Sequence, residues 1–153
     1  MLPELSAALK QEAEQYATVY ETFNGIKTLY DEILLHLSKT KEDFIGFTLG
    51  EEYQNEQANL FFRNYNAKRR DLGIKIKLIG LESQRVFLGK ENKGGNIEIR
   101  YVNHALPTGI IIFGSKVATL LWGEVPVAFV INSQQVAKSY RKFFEDVWKT
   151  AKK

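Results

Sequence analysis

The chain has 153 residues, 44% of them hydrophobic and 25% charged, which excludes a disordered or low-complexity protein. Its net charge of +3 and pI near 9.0 fall short of the dense basic stripe of a dedicated nucleic-acid binder. Zero cysteines exclude disulfides, thiolate zinc sites and thiol nucleophiles.

From the N-terminus, residues 3 to about 19 read as a helix. Pro3 suits its first turn, and Leu2, Leu5, Leu9, Ala13, Tyr16 and Tyr20 recur at spacings of three and four. This stripe is narrow, so it suits either pairing with a copy of itself or lying on its own domain. Leu2, Leu5, Leu9 and Tyr16 are the candidate dimerisation residues. Residues 1–19 are thus expected as a linker or coiled-coil helix, and residues 20–153 as one α/β domain. Val19 to Phe23 alternate as a short strand does. Asn24 is the expected N-cap of a helix whose stripe runs Ile26, Leu29, Tyr30, Ile33, Leu34 and Leu37. Phe44 to Leu49 read as a strand closed by Gly50. A longer helix from Glu51 to Asp71 is expected to bury Ala58, Phe61, Phe62 and Tyr65, with acids in its first turn and Lys68, Arg69 and Arg70 in its last. Gly73 is its C-cap.

Ile74 to Ile79 read as an inner strand. Strand–helix–strand–helix–strand argues for a parallel sheet with right-handed crossovers. Leu81 to Leu88 predict a short helix or irregular crossing, and residues 90–96 a polar, glycine-rich loop. Four strands follow, at residues 97–102, 109–113, 117–122 and 127–131, the last three close enough in sequence to form a meander. Ser133 caps a final helix with an aromatic face containing Tyr140, Phe143, Phe144 and Trp148. The fold class is α/β, a mixed sheet of six or seven strands with helices on both faces.

Groups able to carry chemistry are few. His36 sits among leucines at a helix end, where a cation suits the dipole, and His104 lies in a loop that could hold a functional histidine. Neither has a metal ligand at the right spacing, so no metal is expected. A Gly-x-Ser-x-Gly elbow, a Walker loop and a dinucleotide fingerprint are all absent, and no cofactor is implied. Lys93-Gly94-Gly95-Asn96 precedes a strand rather than a helix N-terminus, so it is a poor phosphate cradle. Glu51 and Glu52 are adjacent in sequence and do not face each other as helix residues. No apolar stretch approaches the roughly 20 residues that span a bilayer. Met1-Leu2-Pro3-Glu4 opens no secretory signal, and the cytoplasm is the expected location.

Several segments share an order with a known family. Tyr20-Glu21-Thr22-Phe23-Asn24-Gly25-Ile26-Lys27, then Ile45-Gly46-Phe47, then Arg69 to Ile79, and finally Val130-Ile131-Asn132-Ser133 through Trp148 resemble the phospholipase-D-like domain of TrmB-type transcriptional regulators. The resemblance spans residues 19 to 150. It implies a phospholipase-D-like sheet and an effector-binding and dimerisation role. The catalytic phospholipase D pattern is His-x-Lys-x-x-x-x-Asp. In its register stand Pro107, Gly109 and Gly114, so histidine nucleophile, phosphate-holding lysine and aspartate are all missing, and the chain is expected not to be an enzyme. No helix-turn-helix precedes Ala17, so the resemblance implies contact with DNA only through a winged-helix domain outside this chain. Sugar binding, which belongs to a separate domain of that family, is not implied.

The expected partners are a second copy of the chain and a small-molecule effector, and no membrane. By analogy with open α/β sheets, the effector pocket lies at the carboxyl ends of the central strands, with Thr48, Glu51, His104 and Thr108 nearest to it. Two other readings stand beside this one. The first is a degenerate phosphodiesterase or nuclease with His104 as base. The second is a nucleic-acid scaffold working through Arg63, Lys68, Arg69 and Arg70.

Overall fold

A computed structural model describes residues 15–91 and 95–153, with Tyr53 and Glu91 described by their backbone only. Seven strands form a single mixed sheet: β1 (Tyr16–Glu21), β2 (Phe44–Thr48), β3 (Ile76–Leu81), β4 (Ile97–Val102), β5 (Gly109–Phe113), β6 (Lys116–Leu121) and β7 (Val127–Asn132). Among the described residues, four α-helices flank it: α1 (Thr22–Thr40), α2 (Glu56–Asp71), α3 (Arg85–Glu91) and α4 (Gln134–Thr150). The spatial order is β1-β7-β6-β5-β2-β3-β4.

Only β2, β3 and β4 form the expected parallel ladder. The meander β5-β6-β7 is antiparallel throughout, as its short turns require. β1 departs from the sequence expectation. It runs in the same direction as β2 but is separated from it by three strands, paired antiparallel with β7 from Tyr16↔Asn132 to Glu21↔Val127. The helix expected through residue 19 is therefore corrected over Tyr16 to Val19, whose backbone groups are taken up by β7. Tyr16 sits on an exposed edge strand, not on a helical seam, and Leu2, Leu5 and Leu9 lie outside the described residues.

Two further boundaries move. α1 starts at Thr22, leaving Asn24 inside the helix, and the N-cap position is held by Glu21 without a side-chain bond. A missing cap costs about 1 kcal/mol, whereas each fully buried Ile or Leu of the α1 stripe contributes roughly 1.5–3 kcal/mol, so packing decides. Ile26, Leu29 and Ile33 are completely buried there. The long helix from Glu51 is broken. Glu51–Gln54 form one 3₁₀ turn, Asn55 turns extended, and its side chain caps α2 by accepting from the Ala58 N–H at 3.1 Å.

Alternation along the strands divides the core in two, with helices on both faces of the sheet. Beneath α1 and α2, the Ile26 stripe and Phe62 pack on Phe44, Ile76, Ile111 and Leu120. Beneath α4, Phe144 and Ala137 pack on Phe47, Ile79, Ile112 and Val117. Ser133 caps α4 as expected, accepting from the Val136 N–H at 3.3 Å. Phe143, expected in the buried face, is half exposed, although its ring stacks on Phe47 with centroids 5.6 Å apart.

At the seam between the parallel half and the meander, a Cβ on Gly46 would stand 2.5 Å from the Ile110 carbonyl oxygen. Only glycine lets the two backbones approach this closely. The β4 edge is closed by the chain end, where Tyr101 and Lys152 exchange backbone hydrogen bonds of 2.7 and 3.0 Å. The β1 edge has no such cover among the described residues.

Candidate functional site

Because α2 rests on the sheet through large rings, the layer beneath it is incompletely filled. A cavity of about 60 Å³, partly open to solvent, runs along β2 to its carboxyl end at Thr48. Gly109 at the start of β5 and Trp122 just beyond β6 complete that end, and Tyr30, Phe44, Phe62 and Tyr65 form the aromatic wall. These rings fix one another edge-on: Tyr30 meets Phe62 at 4.9 Å and Tyr65 at 5.2 Å between centroids, and Phe62 meets Trp122 at 5.9 Å. The volume matches about two waters or one small polar head group, at roughly 30 Å³ per water.

Three polar side chains line the cavity together with Tyr65. The Thr48 hydroxyl donates to Glu52 Oε1 at 2.7 Å and accepts from the Gly50 N–H at 3.0 Å. Burial pushes the Glu52 carboxyl up from its ordinary 4.5, against the hydrogen bond from Thr48, which lowers it. Asn66 accepts from Arg69 Nε at 3.3 Å. The Tyr65 hydroxyl is buried with no hydrogen-bond partner among the described residues, and the residue is only 4% exposed. An unsatisfied buried hydroxyl costs about 1–3 kcal/mol. Burial also holds its ionisation well above the ordinary tyrosine range, so the group stays a neutral donor and acceptor.

Of the residues predicted for the pocket, Thr48 lines this cavity. Glu51 is exposed on the 3₁₀ turn, one position from the carboxylate that turns inward. Thr108 is half-buried immediately before Gly109. His104 is exposed elsewhere, its Nδ1 3.2 Å from the Ala105 carbonyl, in a separate depression with Glu82, Tyr101 and Thr150. Glu52, Tyr65 and Trp122 escaped sequence reasoning. A continuous helix from Glu51 hides the role of Glu52. The one available signal is Asn55, a strong N-cap residue four positions later.

Of the positions that the resemblance aligns with the phospholipase D pattern, Pro107 is exposed and Gly109 borders the cavity. Gly114 turns between β5 and β6 at φ +55°, and a Cβ there would lie 2.7 Å from His36 Cε1. A side chain at position 114 therefore meets both strain and the imidazole. His36 Nε2 is itself buried without a hydrogen bond, 3.8 Å from Glu42 Oε2.

Arg69 is not a surface cation. It is completely buried, donating from its two terminal nitrogens to the Ile74 carbonyl at 2.7 Å and the Gly95 carbonyl at 2.6 Å. Arg63, Lys68 and Arg70 are exposed. Among the described residues, no group of three or more His, Cys, Asp or Glu side chains is placed to hold a metal ion, and no helix is long and apolar enough to cross a membrane.

No family model and no curated protein matches the sequence. Solved structures do match its shape. TrmBL2, described as an archaeal chromatin protein with a novel mode of DNA binding, aligns at a TM-score of 0.56 and 17% identity, covering 98% of this chain and 58% of that one. This chain has a TrmB-like fold. NucT from Helicobacter pylori aligns at a TM-score of 0.62 and 11% identity, covering 90% of this chain and 98% of NucT. The chain spans a little over half the length of TrmBL2 and nearly all of NucT. At these identities the TrmB-like likeness is one of fold.

Proposed function

We propose that this chain is the effector-sensing and dimerisation domain of a TrmB-like transcriptional regulator, built on a catalytically silent phospholipase-D-like scaffold. The observation that carries this reading is the cavity beneath α2, whose lining joins the Thr48–Glu52 pair to Tyr65, a buried tyrosine whose hydroxyl has no hydrogen-bond partner among the described residues. Buried polar groups are mostly hydrogen-bonded, and a hydroxyl without a protein partner on a residue that lines a cavity is a group that a ligand there can engage. In this reading DNA is contacted through a winged-helix domain outside the chain.

Catalytic silence is supported by the absent histidine, lysine and aspartate and by the blocked position at Gly114. Self-association is supported by the open β1 edge, where Tyr16 and Val19 are about half exposed beside Phe129 and Ile131 of β7.

An NMR screen of small polar fragments against the ¹⁵N-labelled chain tests the sensing role. Fragments are expected to shift Thr48, Tyr65 and the Trp122 indole N–H saturably. A library that leaves all three unmoved rejects it.

Direct nucleic-acid binding is the second reading, favoured by the likeness to TrmBL2, whose structure is described as showing DNA binding. The burial of Arg69 thins the basic face on which it relies. Duplex affinity from this chain alone that falls steeply with salt supports it, and flat or absent binding removes it.

A further inference from the structure

The electrostatics of the cavity select a ligand class. Among the described residues that line it, Glu52 contributes the one carboxyl group, and no lysine or arginine shares the wall. The remaining lining is dominated by the rings of Tyr30, Phe44, Phe62, Tyr65 and Trp122. Aromatic faces present negative potential and attract cations, most strongly where water is excluded. An anion would meet the Glu52 carboxyl, while the Arg69 guanidinium bonded to Asn66 already donates to the carbonyls of Ile74 and Gly95, and a bulky sugar would not fit in about 60 Å³. A neutral alcohol would fit but would bring no counter-charge to the Glu52 carboxyl. A compact ammonium group answers all three features: size, ring-lined wall and lone carboxylate.

We propose that the cavity seats the head of a small alkylammonium ion, with Glu52 as its counter-charge and the ring cluster beneath α2 as its wall. This rests on the reading of the cavity as the effector site. Thr48 acts as a positioning residue: its hydroxyl holds one carboxyl oxygen at 2.7 Å, leaving the carboxylate fixed when the cation arrives. Occupation would also reverse the effect of burial on Glu52, because an adjacent positive charge favours the ionised carboxyl.

The test titrates ethylammonium chloride, ethanol and sodium propionate in parallel into the ¹⁵N-labelled full chain at constant ionic strength. Ethylammonium is expected to shift Thr48, Tyr65 and the Trp122 indole N–H saturably, at least fivefold more tightly than ethanol, and propionate not at all. Glu52→Gln should weaken ethylammonium at least tenfold and leave ethanol unchanged, its fold verified by the same spectra. The wild-type ranking stands even if that variant does not fold. Equal binding of ethanol, or an unchanged ethylammonium affinity in a folded Glu52→Gln, overturns the cation while keeping an effector cavity. Silence toward ethylammonium, with other fragments shifting the same residues, likewise rejects only the ligand class. Silence toward every compound rejects the effector site with it.

Discussion

Tyr65 and Arg69 stand one turn apart on α2, and both are buried, yet they are treated in opposite ways. Arg69 spends its guanidinium on the carbonyls of Ile74 and Gly95, tying the end of α2 to the start of β3 and to the loop before β4. Tyr65 brings a hydroxyl into the same layer, and no described group bonds it. The contrast separates scaffold from site. A buried polar group that is fully engaged fixes the fold; one left bare at a cavity wall stores a cost that a ligand can relieve.

The largest expected effect breaks the engaged member. Arg69→Leu leaves two buried carbonyls unsatisfied at about 1–3 kcal/mol each, so urea unfolding should show a loss of roughly 2–6 kcal/mol. A loss under about 1 kcal/mol would remove the structural role assigned to Arg69.

The bare member should respond in the other direction. Tyr65→Phe deletes a hydroxyl with no partner, and the ligand-free protein is expected to keep its stability or gain up to about 1 kcal/mol in the same measurement. A loss of about 1 kcal/mol or more, as for an ordinary bonded tyrosine, would mean that the hydroxyl is satisfied.

The smallest effect is a slope. Burial raises the Glu52 carboxyl in the folded protein above its ordinary 4.5. Between the unfolded and folded values the native state holds the extra proton, so Glu52 favours folding at acid pH, and that contribution is lost as pH rises through the raised value. Wild type should therefore lose stability relative to Glu52→Gln as pH climbs above about 4.5, and parallel profiles would refute the assignment.

Much of the fold was legible because its signals are local. The apolar stripe of α1, the strand ranges and tight turns of β4 to β7 and the Ser133 cap each lie within a short window of sequence, and the structure reproduces them with boundary shifts of up to three residues. The break at Asn55 was missed because helical periodicity continues across it, and with it went Glu52. Phe143 was misread because helical spacing places it beside a buried face, whereas the width of the sheet beneath α4 decides how much of that face is covered.

By itself the sequence determined the α/β class, the meander and the lack of cysteine chemistry. Those follow from residue identity and from periods of 2 and 3.6, which a chain carries wherever it folds. The tertiary structure alone decided that β1 crosses to β7, that Arg69 is interior and that Tyr65 shares a cavity with Glu52. Each of these depends on residues far apart in sequence meeting across a sheet, and pairing energy between distant strands leaves no mark on either strand alone.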